Sequence, residues 1–136
     1  MLNDLGDLAL ERKNYDAAEE YYREALELAR QEEQKELQAY ISGYLGSLAL
    51  DRQQSVEARQ WFEQGFALAQ EVGYVEPIAQ AQYGLACVWE AEGRPDLALP
   101  LAQDALAIYE RLQHRDLAAT RELVQRLTAA AQKKAE

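Results

Sequence analysis

Cys87 is the single thiol of this chain, and His114 its single imidazole. A thiol becomes a working nucleophile when a base stands beside it, and imidazole is the base whose charge changes most readily near neutral pH. The sequence places no Asp/His arrangement around Cys87, and His114 falls in an expected turn between helices. Cys87 therefore reads as a small packing residue and His114 as a solvated turn residue. Metal centres draw on several His or Cys ligands, so no metal is expected. Glu19-Glu20 and Glu32-Glu33 are paired carboxylates, but neighbours on a helix point about 100° apart. They read as surface charge rather than as an acid and its base. No glycine-rich phosphate loop is present. Neither enzyme activity nor a cofactor is expected.

The elements that carry these side chains are helices. Ala, Leu, Glu, Gln and Arg dominate, all favourable in helices. No window alternates apolar and polar residues as a half-buried strand would. Ala18, Tyr22, Ala25 and Ala29, flanked by Leu28, form one apolar helical stripe. Asn14 or Asp16 can cap its start through a short side-chain acceptor. Ala58, Phe62, Gly65 and Ala69 keep the same spacing, and Ala98, Ala102, Ala105 and Tyr109 follow it. Further amphipathic stretches lie at roughly 35–52 and 76–92. Gly73 suits a helix end and Pro77 the first turn of the next helix. Gly93-Arg94-Pro95-Asp96 reads as a tight break. With Asp96 as cap, Pro100 lies just inside its helix, costing one hydrogen bond and a slight bend.

The pattern repeats every forty residues without a gap. Leu5, Leu45 and Leu85 correspond, as do Gly6, Gly46 and Ala86, then Ala9, Ala49 and Trp89. Ala18, Ala58 and Ala98 follow, then Leu28, Leu68 and Ile108. Small residues suit places where helices cross closely, so Gly46 is expected to face Ala58, with Tyr22 and Phe62 filling space alongside. One helix pair cannot bury its apolar faces alone, whereas stacked pairs can. Trp61 is expected to fill a gap between repeats.

Leu5-Gly6 with Ala9, Ala18, Tyr22 and Ala25 resembles the tetratricopeptide repeat pattern. Leu45-Gly46 with Ala49, Ala58 and Phe62 is similar, with Gly65 in the last alanine's place. Leu85-Ala86 with Trp89, Ala98 and Ala105 is looser, since Ala102 replaces the aromatic. The resemblance covers about residues 2–113, with a period of forty instead of the usual 34. HEAT-type repeats also have periods near forty but do not normally carry this residue set. The resemblance implies an all-α, right-handed solenoid of stacked antiparallel helix pairs. Its expected units are 1–33 with a shortened first helix, 34–73, 74–113, and a capping helix within 114–136. In the cap, Leu117, Leu123, Val124, Leu127 and Ala130 are expected to face the stack. Arg121, Glu122, Gln125, Arg126 and Gln132 are expected to face water.

The family binds partner proteins on the concave side lined by first helices. Carried over by alignment, that groove contains Asn3, Asp7, Tyr40, Tyr44, Ser47, Asp51, Tyr83, Cys87 and Glu90, with Thr120 and Leu127 added by the cap. It holds phenols and carboxylates but no Lys or Arg, which implies a peptide or helix of basic character. Two readings of Tyr40, Tyr44 and Tyr83 stand: contacts for a ligand, or packing between neighbouring helices. Members that clamp a C-terminal carboxylate use Lys and Asn; only Asn3 matches, so that mechanism is not expected. Net charge is -10, a surface that repels nucleic acid and anionic lipid. The charge is uneven: residues 1–113 hold 9 basic against 21 acidic side chains, and residues 114–136 hold 5 against 3. No stretch approaches the run of about 20 apolar residues of a membrane span, and the first residues do not read as a signal peptide. A lone cysteine fits a reducing compartment, and a cytoplasmic location is expected. The shortened first repeat would leave apolar surface open. From this a longer array, or a homo-oligomer joined through the N-terminal face, is expected.

Overall fold

The computed structural model describes residues 14–135, which form six α-helices and, among these residues, no strand. They are α1 (Tyr15–Gln31), α2 (Lys35–Asp51), α3 (Ser55–Val72), α4 (Val75–Ala91), α5 (Pro95–Leu112) and α6 (Leu117–Ala135). Each packs against the next, and α2 also meets α4 directly, as successive first helices of a solenoid must. The N-terminal face expected to be open falls on residues 1–13, outside the described residues. No described helix is long and apolar enough to cross a membrane.

The chain keeps a metre of twenty residues, half the period seen in the sequence. Glu33, Gln53, Gly73, Gly93 and Gln113 all have positive φ, one in each turn. Four of these turns close in one way. The amides of Gln34, Gln54, Arg94 and His114 donate to the carbonyls of Ala29, Ala49, Trp89 and Tyr109, at 2.8–3.1 Å. Those of Glu33, Gln53, Gly93 and Gln113 donate to Arg30, Leu50, Glu90 and Glu110. This paired closure satisfies the last carbonyls of each helix. At Gly73 a single bond to the Ala69 carbonyl does so. A left-handed residue other than glycine costs roughly 1–2 kcal/mol, which at Glu33, Gln53 and Gln113 the paired closure bonds help to offset.

Starts of helices follow the same metre. Asn14 caps α1, its side chain accepting from the Ala17 amide at 3.2 Å. Helix α5 begins at Pro95, with Arg94 rather than Asp96 as cap. Asp96 instead lies inside the first turn, where it takes both branches of the Arg94 guanidinium at 3.1 and 3.0 Å. That hydrogen-bonded ion pair holds the Asp96 carboxyl below its ordinary pKa. Pro100 sits within the continuous helix, as its position one turn in permits.

Packing between repeats centres on one ring. Phe62 of α3 is 1% exposed. A Cβ on Gly46 of α2 would stand 2.7 Å from that ring, and one on Gly84 of α4 only 2.2 Å from it. The atoms nearest to a Cβ on Gly46 are those of the Phe62 ring. Ala58 lies in the same buried cluster as Phe62, with Ala49, Leu85 and Val88. A second close crossing of α2 and α3 is at Gly65, where a Cβ would come 3.2 Å from the Ala39 carbonyl oxygen. Trp61 packs against the α1–α2 cluster of Tyr22, Leu26, Leu45 and Leu48, with Arg23 over its ring at 5.4 Å. One expectation for α6 fails: Ala130 is exposed, although it continues the three- and four-residue steps of Thr120, Leu123 and Leu127, which are fully buried. Arg126 faces water as expected and also pairs with Glu90 of α4.

Gly84→Ala should destabilise the chain although alanine is favoured in helices by about 1 kcal/mol. Overpacking a closed core costs roughly 1–3 kcal/mol, and the Phe62 ring has glycine-tight contacts on both sides. Urea denaturation should show a net loss of about 1–2 kcal/mol, largely suppressed in a Phe62→Leu background. Equal losses in both backgrounds would mean that the ring does not set the spacing.

Candidate functional site

Helices α2 and α4 each leave one stripe incompletely buried. On α2 it is Tyr40, Tyr44, Ser47 and Asp51; on α4 it is Gln80, Tyr83, Cys87 and Glu90. Both stripes have the three- and four-residue steps that keep side chains on one helix face. The neighbouring residues Ile41, Ser42, Gly43, Leu45, Gly46 and Leu48 of α2 are buried, and α4 buries Ala81, Gly84, Leu85, Ala86 and Val88 likewise. Ser47 and Asp51 are exposed, while the other six stripe residues are half-buried. Asn3 and Asp7 lie outside the described residues.

Three side-chain arrangements tie the stripes together. At one end the Tyr40 hydroxyl lies near the Glu76 carboxylate across the α2–α4 interface. Burial first, and then the charge of Glu76, push the Tyr40 pKa above its usual value, so its proton stays in place to be donated. In the middle Tyr44 lies against Tyr22 of α1, with centroids 5.5 Å apart and planes at 34°. At the far end Arg126 of α6 reaches Glu90, Nε to Oε2 at 3.1 Å and a second nitrogen to Oε1 at 3.2 Å. Tyr83 and Cys87 lie beside this pair and close to each other. They also pack on the Leu123 and Leu127 cluster. Thr120 and Leu127 are therefore core residues of the cap. Thr120 satisfies its hydroxyl on the Asp116 carbonyl at 2.7 Å.

His114 is not solvated. Its side chain is 14% exposed and stacks on Tyr109 of α5, with centroids 4.5 Å apart. Its Nδ1 accepts from the Asp116 amide at 3.1 Å, so the neutral ring carries its proton on Nε2, which donates to Glu76 Oε1 at 3.1 Å. His114 thus does for the start of α6 what Asn14 does for α1, one hundred residues or five turns of the metre earlier. Glu76 links it to Tyr40, so one carboxylate joins α2, α4 and the base of α6. Sequence reasoning missed Glu76 and Arg126. The signal was in the register: Tyr40–Glu76 and Glu90–Arg126 both span 36 positions, one helical turn short of the period.

The chemistry these groups offer is binding. The Cys87 pKa is pushed up to about 11, chiefly by burial and then by the Glu90 carboxylate, with Arg126 opposing. A thiol so protonated is a poor nucleophile at neutral pH. No group of three His, Cys, Asp or Glu side chains among the described residues could hold a metal ion.

Stacked antiparallel hairpins with a common core, repeating at forty residues and leaving matched stripes on successive first helices, define an α-solenoid of two-helix repeats. The tetratricopeptide repeat family matches residues 1–71 and, one repeat on, residues 36–111. The chain belongs to that family. Its repeats generally mediate protein–protein interaction and are typically not enzymes. No curated protein matches the chain.

The buried thiol gives a direct check on the α4–α6 junction. From the ordinary 9.0 to about 11, the thiolate fraction at pH 8 falls about hundredfold. Iodoacetamide should therefore alkylate Cys87 at least that much more slowly in the folded chain than in urea. Arg126→Ala should slow it further, because the opposing positive charge is lost. Equal folded and unfolded rates would place the thiol outside the junction.

Proposed function

We propose that this chain is a protein-interaction module that holds a peptide or helix of a partner, basic in character, along the stripes of α2 and α4. The observation that carries this reading is the pair of aligned stripes. They run at equivalent positions along both first helices, none of their residues is fully buried, and they end in Asp51 and Glu90. Asp51 is exposed, and no Lys or Arg side chain pairs with it among the described ion pairs. Tyrosine adds large contact area at modest entropic cost and is enriched where partners bind tightly. Tyr40, Tyr44 and Tyr83 also pack between helices, so each serves the stack and only its outer edge is left for a ligand.

The test uses the two exposed stripe positions, whose replacement leaves the core untouched. Protein captured from the native cell extract is identified, and its binding is then measured against Ser47→Arg/Asp51→Lys. Placing like charges against a basic segment should weaken binding at least tenfold, with the urea unfolding curve unchanged. Added salt should weaken the wild-type complex as well. Undiminished binding by the double variant would remove the stripes as the contact surface.

A further inference from the structure

The inner face already holds a guanidinium. Arg126 is carried in from the closing helix and lies in bidentate fashion on Glu90, with Tyr83 and Cys87 alongside. Its side chain is 55% exposed, against 34% for Glu90, so the pair sits at the edge of the stripe and the arginine has open solvent to swing into. An exposed pair of this kind contributes little to stability, because both charges are well solvated when apart. What it shows is fit: the Glu90 carboxylate is oriented so that two guanidinium nitrogens reach its two oxygens at once. A planar fork satisfies that geometry, whereas an ammonium group offers only a point charge.

We infer that Tyr83, Cys87 and Glu90 form a subsite for an arginine side chain of the partner, which Arg126 fills while the inner face is empty. This inference rests on the reading of the stripes as the binding surface. It adds a residue preference, arginine over lysine, at one place on that surface. It also gives α6 a second role besides closing the core: it carries an internal competitor that sets a threshold for binding. The Leu123 and Leu127 contacts keep α6 docked, so the exchange moves one side chain and not the helix.

Capped tri-arginine and tri-lysine peptides serve as probes, equal in charge and different in hydrogen-bonding geometry. Each is titrated into the ¹⁵N-labelled chain while the amide signals of Tyr83, Cys87 and Glu90 are followed. Tri-arginine should shift these three signals and bind several-fold more tightly than tri-lysine. Arg126→Ala, which removes the competitor, should tighten tri-arginine about threefold, in line with the small worth of an exposed pair. Glu90→Gln should erase the preference between the peptides. Equal binding of both peptides to wild type and to Arg126→Ala overturns the subsite. So does a response confined to other signals, or none to either peptide. If the peptides bind equally and Ser47→Arg/Asp51→Lys weakens both, the stripes remain the contact surface and only the arginine subsite falls. If that double variant changes nothing, the wider reading falls with it.

Discussion

The distance between successive hairpins is set by the Phe62 ring pressed between Gly46 and Gly84. Two glycines give up helix propensity, roughly 1 kcal/mol each against alanine, so that one aromatic ring can enter a space that admits no methyl group. The other junctions solve the same volume problem differently. Forty residues earlier the ring is Tyr22, and the residue aligned with Gly84 is Tyr44; the two rings lie against each other 5.5 Å apart. Forty residues later the ring is replaced by Ala102, which packs with Ala86 and Leu123, with Val124 aligned to Gly84. Bulk is distributed differently at each junction: two rings at the first, one ring between glycines at the second, and alanine with valine at the third.

Turn geometry enforces the spacing from the other direction. A helix of fixed length closed by the same left-handed residue every twenty positions returns each first helix to the same place on the stack. Two of these residues are glycines and three are not, so the conformation depends on the closing hydrogen bonds as well as on local preference. The ion pairs follow the same register. Arg52 at the end of α2 meets Asp16 and Glu19 at the start of α1, and Lys35 at the start of α2 meets Glu71 near the end of α3. They mark the two ends of hairpins whose alignment the core has already settled.

Much of this was legible in the sequence because a repeat multiplies weak signals. The helix starts at Lys35 and Val75, the end at Gly73 and the break at Gly93-Arg94-Pro95 all follow from residue chemistry acting over three or four positions. What the sequence hid most concerns side chains that reach between elements. The Phe62 ring against Gly46 and Gly84 is one such contact. His114 was assigned to water because it sits in a turn. Its aromatic body nevertheless stacks on Tyr109, and its two nitrogens find the Asp116 amide and Glu76. Arg126 faces water as its polar neighbours on α6 imply, but its pairing with Glu90 is not legible from α6 alone. A long side chain at the rim of a helix can lie across to the next one, and only the register of the stack shows that Glu90 is there. Within the candidate site, the stripe positions follow from aligning the repeats. The division of each tyrosine between packing and exposed edge does not.

That division bears on how such a surface can be specific. Residues of the stripes are held by the core on one side, so their positions are fixed by the same contacts that fix the hairpin spacing. Packed helices stand about 8–10 Å apart, and an extended chain advances roughly 3.3 Å per residue. On the proposed reading, a segment crossing from α2 to α4 therefore meets equivalent positions about three residues apart. Asp51 and Glu90 lie within about a turn of the same level, since contacts across this interface pair residues 36 apart and 51 stands opposite 87. Basic side chains three residues apart then match one carboxylate on each helix. Phe62 contacts α2 and α4 behind these stripes, so on the same proposed reading the helix separation it sets would fix the spacing a partner's sequence must match.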